Sequence, residues 1–167
     1  MNATEAIKKS FIFCTLGADQ LSEVLQITRE KRFNKNEIIM QEGDKGDCMY
    51  LVVEGEVGVS KSLTMKFGDN DFRQTEKTLT SFKPEDHAIF GEMALIGQDS
   101  RSASIVARTD CLFLEINRTD FIRLINANPS LGVLILMRLS ELLINRLKQS
   151  SQDIIRLTTA LSIALSK

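Results

Sequence analysis

The chain has 167 residues, 43% hydrophobic and 26% charged, the proportions of a globular domain long enough to bury a core of its own. Its formal net charge of −1 supplies no overall field to draw in DNA or an anionic lipid surface, and no apolar run reaches the roughly 18 residues of a membrane crossing. The N-terminus, with Glu5 and Lys8-Lys9 and no long apolar stretch, does not read as a secretory signal, and three widely spaced cysteines (Cys14, Cys48, Cys111) fit reduced thiols in a cytoplasmic protein.

Residues 1 to about 28 read as short helices, with Leu21, Val24, Leu25 and Thr28 at helical spacing. Residues 29 to 117 read as many short strands. Alternation runs through Val52–Val59, with Glu54-Gly55 as the turn pair of a hairpin. Gly68-Asp69-Asn70-Asp71 is a second turn, set in a polar stretch from Lys61 to Lys77 that reads as a long, projecting, solvated hairpin. Cys48 and Cys111, each beside strand residues, read as small core hydrophobes. Closely spaced short strands with turns predict a sandwich or barrel.

From Arg118 the period becomes helical again. Thr119 is placed to cap a helix through Phe121, Ile122, Leu124 and Ile125, which Asn126-Ala127-Asn128-Pro129 breaks. Pro129 suits the first turn of a new helix carrying Leu131, Leu134, Ile135, Leu139, Leu142, Leu143 and Leu147. Ile154, Leu157 and Leu161 continue from Leu147 at steps of seven, three and four, the rhythm of a coiled-coil seam, with Ser150 interrupting it. The organisation expected is one domain over residues 1–147 and a helical tail, a candidate coiled-coil extension, over 148–167. That tail is too short for a helix-turn-helix reader, so direct DNA binding is not expected, and no membrane contact is expected either.

The chemistry concentrates between residues 89 and 107. The strand end Ile89-Phe90 meets Gly91, a short helix-forming run Glu92-Met93-Ala94-Leu95 follows, and a polar loop leads to Arg101-Ser102 and a further β-type run. Amides at the start of a short helix point outward and suit a phosphate. An arginine adds a planar, always-charged fork for phosphate oxygens. A carboxylate beside that phosphate needs donors of its own, such as ribose hydroxyls.

This stretch resembles the phosphate-binding cassette of the cyclic nucleotide-binding domain family, whose pattern is roughly Phe-Gly-Glu-Leu/Met-Ala-Leu, a short loop, then Pro-Arg-Ser/Ala/Thr-Ala-Thr. Nine positions separate Glu92 from Arg101, as in that family. Phe11-Ile12-Phe13 with Leu16, Leu21 and Leu25, the stretch Arg32–Asp47, Tyr50–Val59, and Thr109–Phe121 match further family signatures in the same order, so the resemblance covers residues 10 to 147. Its departures are Asn36 for a turn glycine, Glu85 in a Gly-Pro-Gly-Asp-like turn, the extra pair His87-Ala88, and Ser100 for proline. Asparagine is the best substitute for glycine at positive φ, so the turn at Asn36 is expected to survive. Asp99 is expected to face solvent rather than compete for Arg101.

The resemblance implies a mainly β fold with flanking α: a double-stranded β-helix, or jelly-roll, barrel with N-terminal helices and C-terminal helices that serve as lid and dimer contact. It implies that Arg101, Ser102, Gly91, Met93 and Ala94 bind the cyclic phosphate and that Glu92 binds the ribose 2′-OH. The function implied is a regulatory module that binds cyclic AMP or cyclic GMP and signals in trans through its C-terminal helix to an effector protein, as a homodimer, without catalysis. Ser102 does not separate the two nucleotides, and cyclic AMP is taken first. The alternative is a nucleotide-free interaction or scaffold protein of the same fold. A metal or haem role is not expected, because a single histidine (His87) and scattered cysteines offer no ligand cluster.

Overall fold

The first helix begins with a reciprocal cap. The Asn2 side chain accepts from the Glu5 amide at 2.8 Å while the Glu5 carboxylate accepts from the Asn2 amide, which starts α1 (Ala3–Lys9). A turn through Phe11–Thr15 follows, where the opening helical segment was expected, and α2 (Ala18–Gln26) begins after Gly17. These features belong to a computed structural model that describes residues 2–66, 72–84, 88–97 and 100–166, with side chains described outside 62–66 and 72–79. The turn Gly68–Asp71, Glu85, His87 and Asp99 lie outside the described residues.

Eight strands follow: β1 (Thr28–Phe33), β2 (Ile38–Met40), β3 (Cys48–Glu54), β4 (Val57–Lys66), β5 (Phe72–Phe82), β6 (Ile89–Phe90), β7 (Ser104–Ala107) and β8 (Cys111–Asn117). They form two antiparallel four-stranded sheets, ordered β1-β8-β3-β6 and β2-β7-β4-β5. The architecture is a jelly roll with flanking helices, as expected. Asn36 has φ +70°, so the turn into β2 does use the left-handed region.

Glu54-Gly55 is not a hairpin turn. The chain leaves one sheet at Glu54 and enters the other at Val57, so β3 and β4 never pair. The return crossing from β7 to β8 runs alongside. Arg108 donates its amide to the Glu56 carbonyl, and Glu56 donates its own to Thr109 Oγ1. The two crossings press so closely that a Cβ on Gly55 would lie 2.4 Å from the Asp110 carbonyl oxygen, and Gly55 sits at φ +87°. The expected long hairpin is β4 with β5, paired from Val57–Phe82 out to Lys66–Phe72.

β3 is buried on both faces, from Cys48 through Val53. Met49, Leu51 and Val53 pack outward under the helices with Ile7, Phe13, Val24 and Leu131. Cys48, Tyr50 and Val52 point inward, where Phe33, Tyr50, Phe90 and Phe113 form a cluster of ring contacts between the sheets. Clean alternation fails along this strand because both of its faces find apolar partners.

The cap of α4 (Arg118–Ala127) is Asn117, whose side chain accepts from the Thr119 amide at 2.9 Å; Thr119 itself is inside the helix. The helix stops at Asn128, and Pro129 opens α5 (Pro129–Leu165), 37 residues without a break at Ser150. Gly132 sets the contact between α4 and α5: a Cβ there would lie 2.9 Å from Ile125 Cβ. Arg138 ties α5 to the N-terminal turn, stacking 4.2 Å over the Phe11 ring and donating to the Phe11 carbonyl.

Candidate functional site

Arg101 is held first by its backbone. Its amide donates to the Asp44 carbonyl at 2.7 Å and its carbonyl accepts from the Gly43 amide at 2.9 Å, so the loop before β3 fixes where the residue emerges. Its guanidinium turns inward. Nη1 donates to the Cys48 carbonyl at 2.8 Å and weakly to the Gly91 carbonyl at 3.5 Å, and Nη2 lies 3.3 Å from Cys48 Sγ. Two glycines make the room. A Cβ on Gly46 would sit 2.9 Å from the guanidinium carbon, and one on Gly91 would sit 2.6 Å from Nη1. Gly91 also has φ +76°, which a side chain would strain.

Gly91 delivers the chain to Glu92, which precedes α3 (Met93–Ile96) as its N-cap. The Glu92 carboxylate is buried, with a relative exposure of 3%. A carboxylate this deep needs a partner, and Arg146 from α5 provides it, with Nη1 2.5 Å from Glu92 Oε1 and Nη2 donating to the Ile89 carbonyl. Arg101 differs: no carboxylate among the described residues lies within ion-pair distance of it, so its charge remains available to an anion.

Between these groups lies a cavity of about 660 Å³. Gly91, Glu92, Met93, Ala94, Arg101 and Ser102 all line it. Val59, Phe82, Leu143 and Leu147 give it an apolar lining, and Ser150 also lines it. All six residues expected at the site therefore meet at one hollow, in differing ways. Ala94 is buried and its amide is already taken by the Gly91 carbonyl at 3.1 Å, so it is not the outward donor anticipated at the helix start. Among the described residues the Glu92 and Met93 amides have no such acceptor. The side chains of Met93 and Ser102 are exposed on the cavity wall.

Burial pushes the Cys48 thiol above its ordinary pKa despite the nearby guanidinium, and burial together with Cys48 raises the Tyr50 phenol. Both groups are neutral at physiological pH.

Sequence reasoning did not find Arg146 or the contact of Cys48 with Arg101. A signal for Arg146 exists: it is a lone cation on the helix face that carries Leu143, Leu147 and Ser150, all lining the cavity.

Comparison with known proteins points the same way. The family model for the cyclic nucleotide-binding domain matches residues 30–128. The chain is 30% identical over 120 residues to the cAMP-dependent protein kinase regulatory subunit of Eremothecium gossypii, covering 72% of this chain and 23% of that protein. It is 28% identical over 148 residues to the cyclic AMP receptor protein of Thermus thermophilus, covering 89% of this chain and 62% of that one. The crystal structure of a cyclic nucleotide-binding domain from Methylobacillus flagellatus superposes with a TM-score of 0.76 at 27% identity, over 91% of this chain and 82% of that chain. The chain thus spans about a quarter of the kinase subunit and under two thirds of the receptor protein.

Proposed function

The chain belongs to the cyclic nucleotide-binding domain family, and on that premise we propose that it is a regulatory module that binds cyclic AMP in the cavity between Arg101, Glu92 and α5 and passes that state on through α5. The observation that carries the reading is that an arginine with no carboxylate partner among the described residues and a buried glutamate line one hollow together with Val59, Phe82, Leu143 and Leu147. A cyclic mononucleotide has that sequence of parts: one negative charge, a ribose hydroxyl and a flat base. Arg101 would take the cyclic phosphate, with the amides and small groups at Gly91, Met93, Ala94 and Ser102 around it. Glu92 would accept from the ribose 2′-OH, and the base would lie against Val59, Phe82, Leu143 and Leu147. Two of the relatives bear cyclic AMP in their names, which favours it over cyclic GMP.

Because α5 forms one wall, a ligand that prefers one placement of this helix shifts its population by the difference in affinity. The helix would pair with a second copy and hand the signal to an effector protein. A second reading, a nucleotide-free interaction protein of this fold, draws support from one observation: Glu92 already has Arg146, so its carboxylate is satisfied without a ligand.

Isothermal titration calorimetry with cyclic AMP and cyclic GMP decides between the two. Binding of cyclic AMP is expected, with Arg101→Ala weakening it by roughly a hundredfold or more, since removing one partner of a buried charge pair costs about 3–5 kcal/mol. No heat with either nucleotide at millimolar concentration would leave the scaffold reading standing.

A further inference from the structure

We propose that Cys48 is a positioning residue for Arg101: it grips the guanidinium from behind with two acceptors and leaves the charge free to face an anion. The inference rests on the nucleotide-binding reading and adds to it a determinant of affinity in the first residue of β3.

One residue meets both terminal nitrogens of Arg101. The Cys48 carbonyl accepts from Nη1 at 2.8 Å, and the Cys48 sulfur lies 3.3 Å from Nη2. The open surface of Gly46 lies against the guanidinium carbon. Two points on one edge, with a backbone surface beside them, fix both the position and the plane of the group. A guanidinium has five N–H donors, so these bonds leave others for a ligand. The chemical nature of the rear partner matters. A carboxylate at position 48 would neutralise Arg101 and compete with a phosphate. An apolar side chain would leave Nη2 without a partner on that side. The buried thiol is neutral, so it accepts without cancelling charge.

The competing account is that Cys48 only fills space between the sheets. The two accounts predict opposite orders for two substitutions. Cys48→Val stays apolar, is larger by about one methyl group and loses the acceptor; Cys48→Ser keeps an acceptor, is smaller and loses apolarity. If the thiol positions Arg101, Cys48→Val stays folded, melting no lower than Cys48→Ser, yet binds cyclic AMP about three- to tenfold more weakly, a modest loss because sulfur is a weak acceptor. Cys48→Ser then melts lower but binds within about twofold of the wild type. Retained affinity in Cys48→Val together with lost affinity in Cys48→Ser overturns the proposal.

A ligand-free measurement separates this inference from the nucleotide reading. In ¹⁵N-labelled protein, solvent exchange of the Arg101 side-chain N–H groups is expected to speed up in Cys48→Val and to stay near the wild-type rate in Cys48→Ser. Unchanged exchange in Cys48→Val overturns the positioning role, whether or not a nucleotide binds. Absence of cyclic nucleotide binding in the wild type overturns the functional reading, while the exchange rates still judge the thiol.

Discussion

Glu92 is a carboxylate that water hardly reaches, and Arg146 is the cation that makes this tolerable. The Arg146 side chain is 40% exposed, so the pair lies between a surface ion pair, with a median of about 0–1 kcal/mol, and a fully buried one. Arg146→Ala is expected to destabilise the ligand-free protein by about 1–3 kcal/mol, because it strands the buried acid. In Glu92→Gln the same substitution is expected to cost much less, and urea denaturation of the four variants gives the coupling directly. Equal losses in both backgrounds would mean that the pair is not coupled. The Glu92–Arg101 spacing was legible in the sequence because a local turn and a four-residue helix set it. Arg146, 54 positions beyond Glu92, was not, because only the packing of α5 across the barrel brings it there.

At the level of the element, α5 is the part of the molecule least explained by its own domain. At about 1.5 Å per residue its 37 residues extend roughly 55 Å, yet its buried residues, Leu131, Gly132, Ile135 and Leu139, all lie in the first three turns. Beyond the cavity every described residue from Ser151 to Ser166 is exposed. Val133, Met137, Ile144, Leu147, Ile154, Leu161 and Leu165 are large apolar side chains left open to solvent, and they fall into a register of threes and fours that Ser140, Ser151 and Thr158 complete. That is the spacing a two-stranded coiled-coil seam would need, and it supports the proposed pairing with a second copy. Sedimentation is expected to give a dimer that Ile154→Asp with Leu161→Asp converts to a monomer, with little change in the melting of the β-domain. A wild-type monomer, with and without nucleotide, would remove the pairing. The seven-residue repeat Leu147, Ile154, Leu161 was readable from the chain, whereas Leu157, placed with them in the sequence reading, lies one position before Thr158 in this register. The continuity of the helix through Ser150 was not, because the consecutive serines Ser150 and Ser151 weaken the apolar pattern without breaking backbone hydrogen bonds.

The whole molecule carries two interiors, one under the helices and one between the sheets, with β3 serving both. The inner one holds titratable groups that have little access to water. Cys48, Tyr50 and Cys111 all have pKa values raised chiefly by burial. Each is an acid that keeps its proton longer in the folded chain than in the unfolded one. Above the ordinary thiol value of 9.0 and phenol value of 10.0, unfolding therefore releases protons and rising pH favours it. Denaturation between about pH 7 and pH 11 is expected to show stability level at first and falling through the alkaline range, with a shallower fall in Tyr50→Phe. A level profile to pH 11 would contradict that origin.

Short-range patterns missed the turn at Phe11–Thr15 but marked the helical ends and the β-rich middle of the chain, the turns at Asn36 and Asn128-Pro129, and the grouping of Gly91, Glu92 and Arg101 in one stretch. These follow from backbone preferences and from side chains a few residues apart, which short-range patterns record. Three-dimensional packing was needed to show that β3 and β4 part at Gly55 into different sheets, that β3 is covered on both faces, and that Cys48 and Arg146 reach Arg101 and Glu92. The reason is that those contacts join residues far apart in the chain, and which of many apolar strands or lone cations meet is settled by how the two sheets and α5 close on one another, not by any residue's neighbours in sequence.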